Sequence, residues 1–328
     1  MGQINFRKYF SKFCYFTGIA PLRWRAIGSY AVAVDYHYFT KSGIENQDLE
    51  VEHQVLERHL DFFSNYCEVG DARTQIAPLL SGEISDNYKP RVFISIDDAD
   101  VSVLDALKIF EKHEIPFVLF VPTGLILKDH SRDQLLSIIF QKFYELSESL
   151  KLPNGEKATF GNIFNYVSQC EESKLEELLS EINKLNLEPK VITQRSLLSL
   201  QELVDLAKHP LVTLGSHSMT HPVFSELPLE WAEWEIKTSS KYITEAGGDS
   251  SLFAYPYGFK GSFNQETISR LKLSGVEVAF STISSKIDKR SNPYSLGRVG
   301  MLNISDSTYL KGVVGGAFEY FDRILRRI

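Results

Sequence analysis

Short apolar runs recur along this chain, each ending on polar residues and most followed by a segment whose apolar positions have helical spacing. Ala31–Val34 stops at Asp35-Tyr36-His37, and Arg91–Ile96 stops at Asp97-Asp98. A helix marked by Val103, Leu107 and Phe110 leads to Pro116–Val121, and Leu211–Leu214 runs into Gly215-Ser216-His217. Further short runs are Leu252–Tyr255, Val276–Phe280 and Leu296–Val299. A run that is apolar at every position is a strand covered on both faces, and strand–helix alternation brings such strands together in a parallel sheet. The pattern therefore predicts a parallel α/β fold, either a barrel or a doubly wound sheet.

Between the strands, helices are predicted at about 47–66, with Leu49, Leu56, Leu60 and Phe63 on one face, and from Pro228 to Gly247-Gly248. Asn264 is placed to cap a helix that Gly275 ends, and Asp100 is the nearest cap for the helix after Asp97-Asp98. From about 125 to 195 the alternation breaks into charged, helical sequence around a Pro153-Asn154-Gly155 turn, which reads as a helical insertion. Residues 1–30 are expected to form a separate N-terminal helical segment, and 31–328 the main domain.

Composition excludes several classes. With 35 Lys+Arg against 42 Asp+Glu the formal net charge is −7, which argues against a protein that tracks nucleic-acid phosphates. Cys14, Cys67 and Cys170 are odd in number, far apart and without a CxxC pair, which fits a reducing compartment. At the N-terminus, basic and aromatic residues interleave without an apolar stretch and small-residue cleavage site. The expectation is a cytoplasmic protein. Phe6, Tyr9, Phe10, Phe13 and Phe16 with Arg7, Lys8 and Lys12 fit either a helix lying on the inner face of a membrane or one packed on the domain.

Ligand sites of parallel α/β folds form at the carboxyl ends of strands. Four polar clusters fall there: His37, Asp97-Asp98, His217 with His221, and Pro256-Tyr257-Gly258. Neighbouring residues on an extended chain point opposite ways, so Asp97 and Asp98 can divide two tasks, one on a metal and one on a reacting water; a helix cap is the plainer role. His217 and His221 have the i, i+4 spacing that lets two imidazoles share a metal. Two His and one Asp make a Zn²⁺ triad with positions left for water. Pro256-Tyr257-Gly258 is either a plain turn or a loop whose backbone N–H groups hold an oxyanion.

The ordered set SIDDAD, GSHSMTHP and AYPYG resembles the polysaccharide deacetylases of carbohydrate esterase family 4, from Asp35-Tyr36-His37 to about Met301. The resemblance implies a distorted (β/α) barrel of about seven parallel strands. It implies Asp97 as general base, Asp98, His217 and His221 as metal ligands, and the Tyr257 backbone N–H as an oxyanion donor. The metal is expected to be Zn²⁺, with Co²⁺ or Ni²⁺ as alternatives. Three positions depart from the family: Ala99 replaces the Gly of Asp-Asp-Gly, Ala254 replaces an Arg that pairs with the base, and no Leu-x-His element follows His221. Members with a rearranged strand order carry a Tyr-His at the first strand, which makes His37 the candidate acid, and Arg298 is the candidate replacement for the lost Arg.

The implied activity is removal of an N-acetyl or N-formyl group from an amino sugar of a surface polysaccharide or a lipid-linked precursor. Two other classes remain open. One is an eroded, carbohydrate-binding relative. The other is a metal-dependent glycosyltransferase, suggested by Asp98-Ala99-Asp100. Trp231 and Trp234 suit packing better than sugar stacking.

Overall fold

The protein is described from a computed structural model over residues 9, 30–44, 49–83, 89–128, 131–146, 152, 155–183 and 196–319. Apart from Tyr9 and Tyr30, the N-terminal helical segment and the membrane contact assigned to it lie outside the described residues, as does the chain after Glu319. Among the described residues no helix is long and apolar enough to cross a membrane.

The strands are β1 Ala31–Tyr36, β2 Tyr38–Thr40, β3 Glu50–Glu52, β4 Glu68–Gly70, β5 Arg91–Ile96, β6 Phe117–Val121, β7 Val212–Ser216, β8 Leu252–Ala254, β9 Val278–Phe280 and β10 Arg298–Gly300. The longer helices are α1 His53–Tyr66, α2 Ser102–His113, α3 Arg132–Leu146, α4 Phe160–Gln169, α5 Glu172–Asn183, α6 Leu200–Ala207, α7 Leu229–Glu245, α8 Gln265–Leu273 and α9 Ser307–Val314.

β1, β5 and β6 are buried at every residue, as strands covered on both faces must be. The main sheet has the order β10-β1-β5-β6-β7-β8-β9, with β4 beside β5. β1 runs parallel to β5 from Ala31↔Arg91 to Tyr36↔Ile96, and parallel to β10 from Ala33↔Arg298 to Asp35↔Gly300. The other edge of β5 is shared: β4 takes its first half and β6 its last two residues. A parallel bridge from Phe280 to Leu296, two residues before β10, nearly closes the sheet into a seven-stranded barrel.

By density of contacts the chain divides into two compact units, one of residues 1–119, 209–213 and 278–328, the other of 120–208 and 214–277. The first is built on β1, β5 and the phenylalanine pair Phe93–Phe280, stacked at 5.0 Å. The second contains a helical core in which Leu135, Ile139, Phe140 and Phe143 of α3, Ile163 and Val167 of α4, and Leu175, Leu178 and Ile182 of α5 gather around Trp231 of α7. Trp231 and Trp234 are thus packing residues, their rings 4.1 and 5.2 Å from Phe140.

Two local expectations are corrected. The helix expected from about 47 begins only at His53, because Glu50–Glu52 pairs in parallel with Tyr38–Thr40 as a separate two-stranded sheet. Three residues are too few to show a period of two, so sequence spacing extends the helix across them. The cap of α2 is Val101, not Asp100, although Asp100 Oδ1 accepts the Ser102 N–H at 2.9 Å. By contrast Asn264 caps α8, accepting the Thr267 N–H at 3.0 Å.

Candidate active site

Beyond the buried run Arg91–Ile96 the chain turns through Asp98 and Ala99, both left-handed at φ +73° and +55°. That conformation is costly for a residue with a Cβ, and it occurs where the surroundings over-determine it. Here the surroundings are ionic. Arg298, at the start of β10 and fully buried, donates from both terminal nitrogens to the two oxygens of Asp97 at 2.6 Å each. Its Nη1 also reaches Ser95 Oγ at 3.0 Å, and its Nε the Ser281 carbonyl at 3.3 Å. Burial alone pulls the guanidinium down, but the carboxylates of Asp97, Asp35 and Asp98 outweigh it and hold Arg298 above the usual arginine range. Asp98 Oδ2 accepts from the Tyr38 hydroxyl at 2.6 Å, so β2 fixes the second carboxylate.

Register places β1 beside both partners of this pair, and its end brings in Asp35 and His37. His37 Nδ1 lies 4.0 Å from Asp35 Oδ2, with the ring partly exposed and Asp35 buried. Asp35, His37 and Asp97 each offer a ligand atom within 4.8 Å of the others. A cation there would meet a guanidinium already spanning both oxygens of Asp97, so this group suits proton handling better than metal binding.

At the end of β7, Gly215 is needed for close approach: a Cβ there would lie 2.6 Å from the Phe120 ring. The loop that follows is tied to β6 and its extension, His217 N–H to the Val121 carbonyl at 3.0 Å and Thr123 N–H to the Ser218 carbonyl at 3.0 Å. Ser218 and His221 are left-handed, at φ +67° and +57°. His217 is buried, and its Nδ1–H donates to the Ala254 carbonyl at 2.8 Å, which fixes the tautomer and turns the Nε2 lone pair to the other side. The His217 and His221 rings lie 4.9 Å apart, centroid to centroid. After β8, Tyr257 is left-handed at φ +62° and its half-exposed ring stands 4.8 Å from that of His221.

His217 and His221 in one unit, and Asp98 in the other, are the residues with donor atoms suited to a metal. Two imidazoles and one carboxylate, one imidazole with its tautomer set by a backbone carbonyl and the carboxylate braced by a tyrosine hydroxyl, are a fitting donor set for a borderline divalent cation.

Two supporting residues were not evident in the sequence. Tyr38 lies beside His37 and reads there as a strand aromatic. Glu235 reads as one more charge on an amphipathic helix, yet it is fully buried and accepts from Met219 N, Thr220 N, Thr220 Oγ1 and Trp231 Nε1. Burial pushes its carboxyl up while these donors pull it down, and burial prevails. The available signal was its position four residues after Trp231, inside the stripe Trp231, Ala232, Ile236, Ser239 and Ile243 that α7 buries.

Comparison with known proteins bears on the fold and the family. No curated protein matches the chain. Among solved structures, IcaB from Ammonifex degensii is similar at TM-score 0.56 and 16% identity, over 89% of this chain and 98% of that one. A de-N-acetylase from Aggregatibacter actinomycetemcomitans matches at 0.56 and 14%, over 87% and 99%. The Streptococcus pyogenes deacetylase PplD, solved with acetate, matches at 0.52 and 14%, over 84% and 93%. At these identities the likeness establishes the fold. The sequence pattern of a family described as polysaccharide deacetylase matches residues 85–279, well over half of the chain, a span holding Asp97, Asp98, His217, His221 and Tyr257. The chain belongs to the polysaccharide deacetylase family, hydrolases that act on the acyl amides of polysaccharides.

Proposed function

We propose that the protein is a metal-dependent amide hydrolase that removes an N-acetyl or N-formyl group from an amino sugar of a surface polysaccharide or its lipid-linked precursor. The observation that carries this reading is the His217–His221 pair, its rings 4.9 Å apart, in a chain that also carries Asp98 and, next to it in sequence, Asp97 held by the buried Arg298. Zn²⁺ is the simplest occupant, with Co²⁺ or Ni²⁺ as alternatives. Bound there, a divalent cation supplies Lewis acidity toward the acyl oxygen and makes water acidic enough to attack near neutral pH.

The chain's own residues do the rest. Asp97 takes the proton from water as its oxygen adds to the acyl carbon, and Arg298 holds the carboxylate in place. The Tyr257 backbone N–H stabilises the oxyanion. His37, with Asp35 beside it, gives a proton to the departing nitrogen as the C–N bond breaks, leaving a carboxylic acid and a free amino sugar.

Metal analysis of the purified protein beside His217→Ala tests the centre directly. The expected result is stoichiometric metal in the parent, lost together with activity on N-acetylhexosamine glycans in the variant. Asp97→Asn should keep the metal and lose about 10²- to 10⁴-fold in turnover, the usual contribution of a general base. Metal-free parent protein, or Asp97→Asn at full activity, would overturn the reading.

A further inference from the structure

The loop that presents both histidines carries two left-handed residues that are not glycine, Ser218 and His221. A loop strained in this way keeps its shape only if something outside it holds it. Within the loop the Ser218 hydroxyl accepts the His221 N–H at 3.0 Å. One such restraint comes from α7. Glu235 Oε2 accepts the N–H groups of Met219 and Thr220 at 2.8 and 2.9 Å, and Oε1 accepts the Thr220 hydroxyl. An ionised carboxylate only accepts, and a backbone N–H only donates, so all three bonds have one polarity and one geometry. The carboxylate is fixed in turn by Trp231 Nε1 at 3.1 Å. The Trp231 ring packs on Phe140 of α3 at 4.1 Å and on Phe164 of α4 at 6.1 Å. From the opposite side Gly124 admits the loop: a Cβ there would meet the Met219 carbonyl at 2.9 Å.

We infer that Glu235 is the positioning residue for the His217–His221 pair, and that α3 and α4 hold it in place through Trp231. The inference rests on the metal reading above for its consequence, though not for the loop geometry. The helices that interrupt the strand–helix alternation thereby gain a role: through Trp231 and Glu235 they brace the loop that carries both histidines. The carboxylate touches no ligand side chain, so it acts on the spacing and tilt of the imidazoles through the peptide between them.

The test uses the full chain with Glu235→Gln, Glu235→Ala and Trp231→Phe, the last keeping an aromatic ring while removing the one donor. In metal-free protein, amide hydrogen exchange at Met219 and Thr220 should lose protection in both Glu235 variants, and less so in Trp231→Phe. Zinc affinity by chelator competition should weaken about 10- to 100-fold in the Glu235 variants, the usual effect of groups that orient metal ligands. Leu56→Ala on α1, a buried change remote in sequence from the loop, should lower Tm while leaving zinc affinity as in the parent. Unchanged amide protection, or zinc affinity within twofold of the parent in Glu235→Gln, would overturn the inference and reduce Glu235 to a core residue. Loss of zinc affinity in Leu56→Ala equal to that in Glu235→Gln would do the same. A parent protein that binds no zinc but shows the expected amide protection would instead refute the metal reading and leave the positioning role standing.

Discussion

The loops after β5 and β7 meet the same problem by opposite means. Each bends through two left-handed residues other than glycine, Asp98 and Ala99 in one, Ser218 and His221 in the other. After β5 the loop's own side chains carry charge, and they are held from outside by a guanidinium and a phenol. After β7 the backbone is held instead, by a carboxylate that accepts its N–H groups. The difference follows from what each loop delivers. Adjacent carboxylates repel and need a counter-cation, whereas a pair of imidazoles that are to share a metal needs a fixed peptide geometry. Removing the support should therefore leave an unpaired charge in the first case and stranded donors in the second.

Arg298→Met tests the first loop most severely. It leaves Asp97 buried opposite a hydrocarbon, and stripping one partner from a buried ion pair costs about 3–5 kcal/mol. Urea unfolding should show that loss, with activity falling as well. A cost under 1 kcal/mol would mean that the pair is solvated, and the contrast between the loops would fail.

Acid probes the barrel behind the first loop. His59 is fully buried, accepting from the Tyr36 hydroxyl at Nδ1 over 3.1 Å and donating from Nε2 to the Ile304 carbonyl at 2.9 Å. Burial lowers its pKa to about 4, with the Ile304 bond opposing. The unfolded chain then binds the extra proton first, so stability from this residue is complete above about pH 6.5 and is lost as pH falls towards 4. The integrated effect is about 3 kcal/mol. Stability measured from pH 7 to 4 should fall accordingly, and His59→Gln should flatten that slope. A parent slope unchanged in His59→Gln would assign the acid sensitivity to the loop carboxylates instead.

Much of this arrangement was legible in the sequence. Arg91–Ile96 is a strand with the bounds its apolar run suggests, because burial on both faces leaves a continuous signal. The strand-end clusters were legible for the same reason: a buried run that stops on polar residues marks where the sheet opens. Ala99 does adopt the left-handed turn that the family builds with glycine. What stayed hidden depends on partners distant along the chain. Glu50–Glu52 is a strand only because Tyr38–Thr40 lies beside it. Glu235 is a buried anchor only because a loop fifteen or sixteen residues earlier turns its N–H groups inward. Arg298 meets Asp97 across 201 residues, a pairing that no local spacing encodes.

Thr220→Val asks how much the second loop depends on the carboxylate. The change keeps shape and removes the hydroxyl that donates to Glu235, so the expected cost is about 2 kcal/mol, in the range of hydrogen bonds to charged groups. Denaturant unfolding reads it. A neutral result would mean that the two backbone bonds suffice.

The finest comparison places glycine in each loop. Ala99→Gly removes a Cβ from a left-handed position, a relief of about 1–2 kcal/mol, against about 0.5–1 kcal/mol for the extra freedom of glycine in the unfolded chain. The buried Ala99 methyl adds a further loss of about 0.8 kcal/mol, so the net should be near zero. Ser218→Gly gives the same relief but removes the hydroxyl that accepts the His221 N–H, worth about 0.5–1.5 kcal/mol, so its net should be near zero or negative. Paired thermal melts decide the matter: Ala99→Gly should lie within about 1 °C of the parent, and Ser218→Gly at or below it. If Ser218→Gly were instead the more stable of the two, the hydroxyl would contribute nothing to the second loop. The whole of its shape would then rest on Glu235 and the ties to β6.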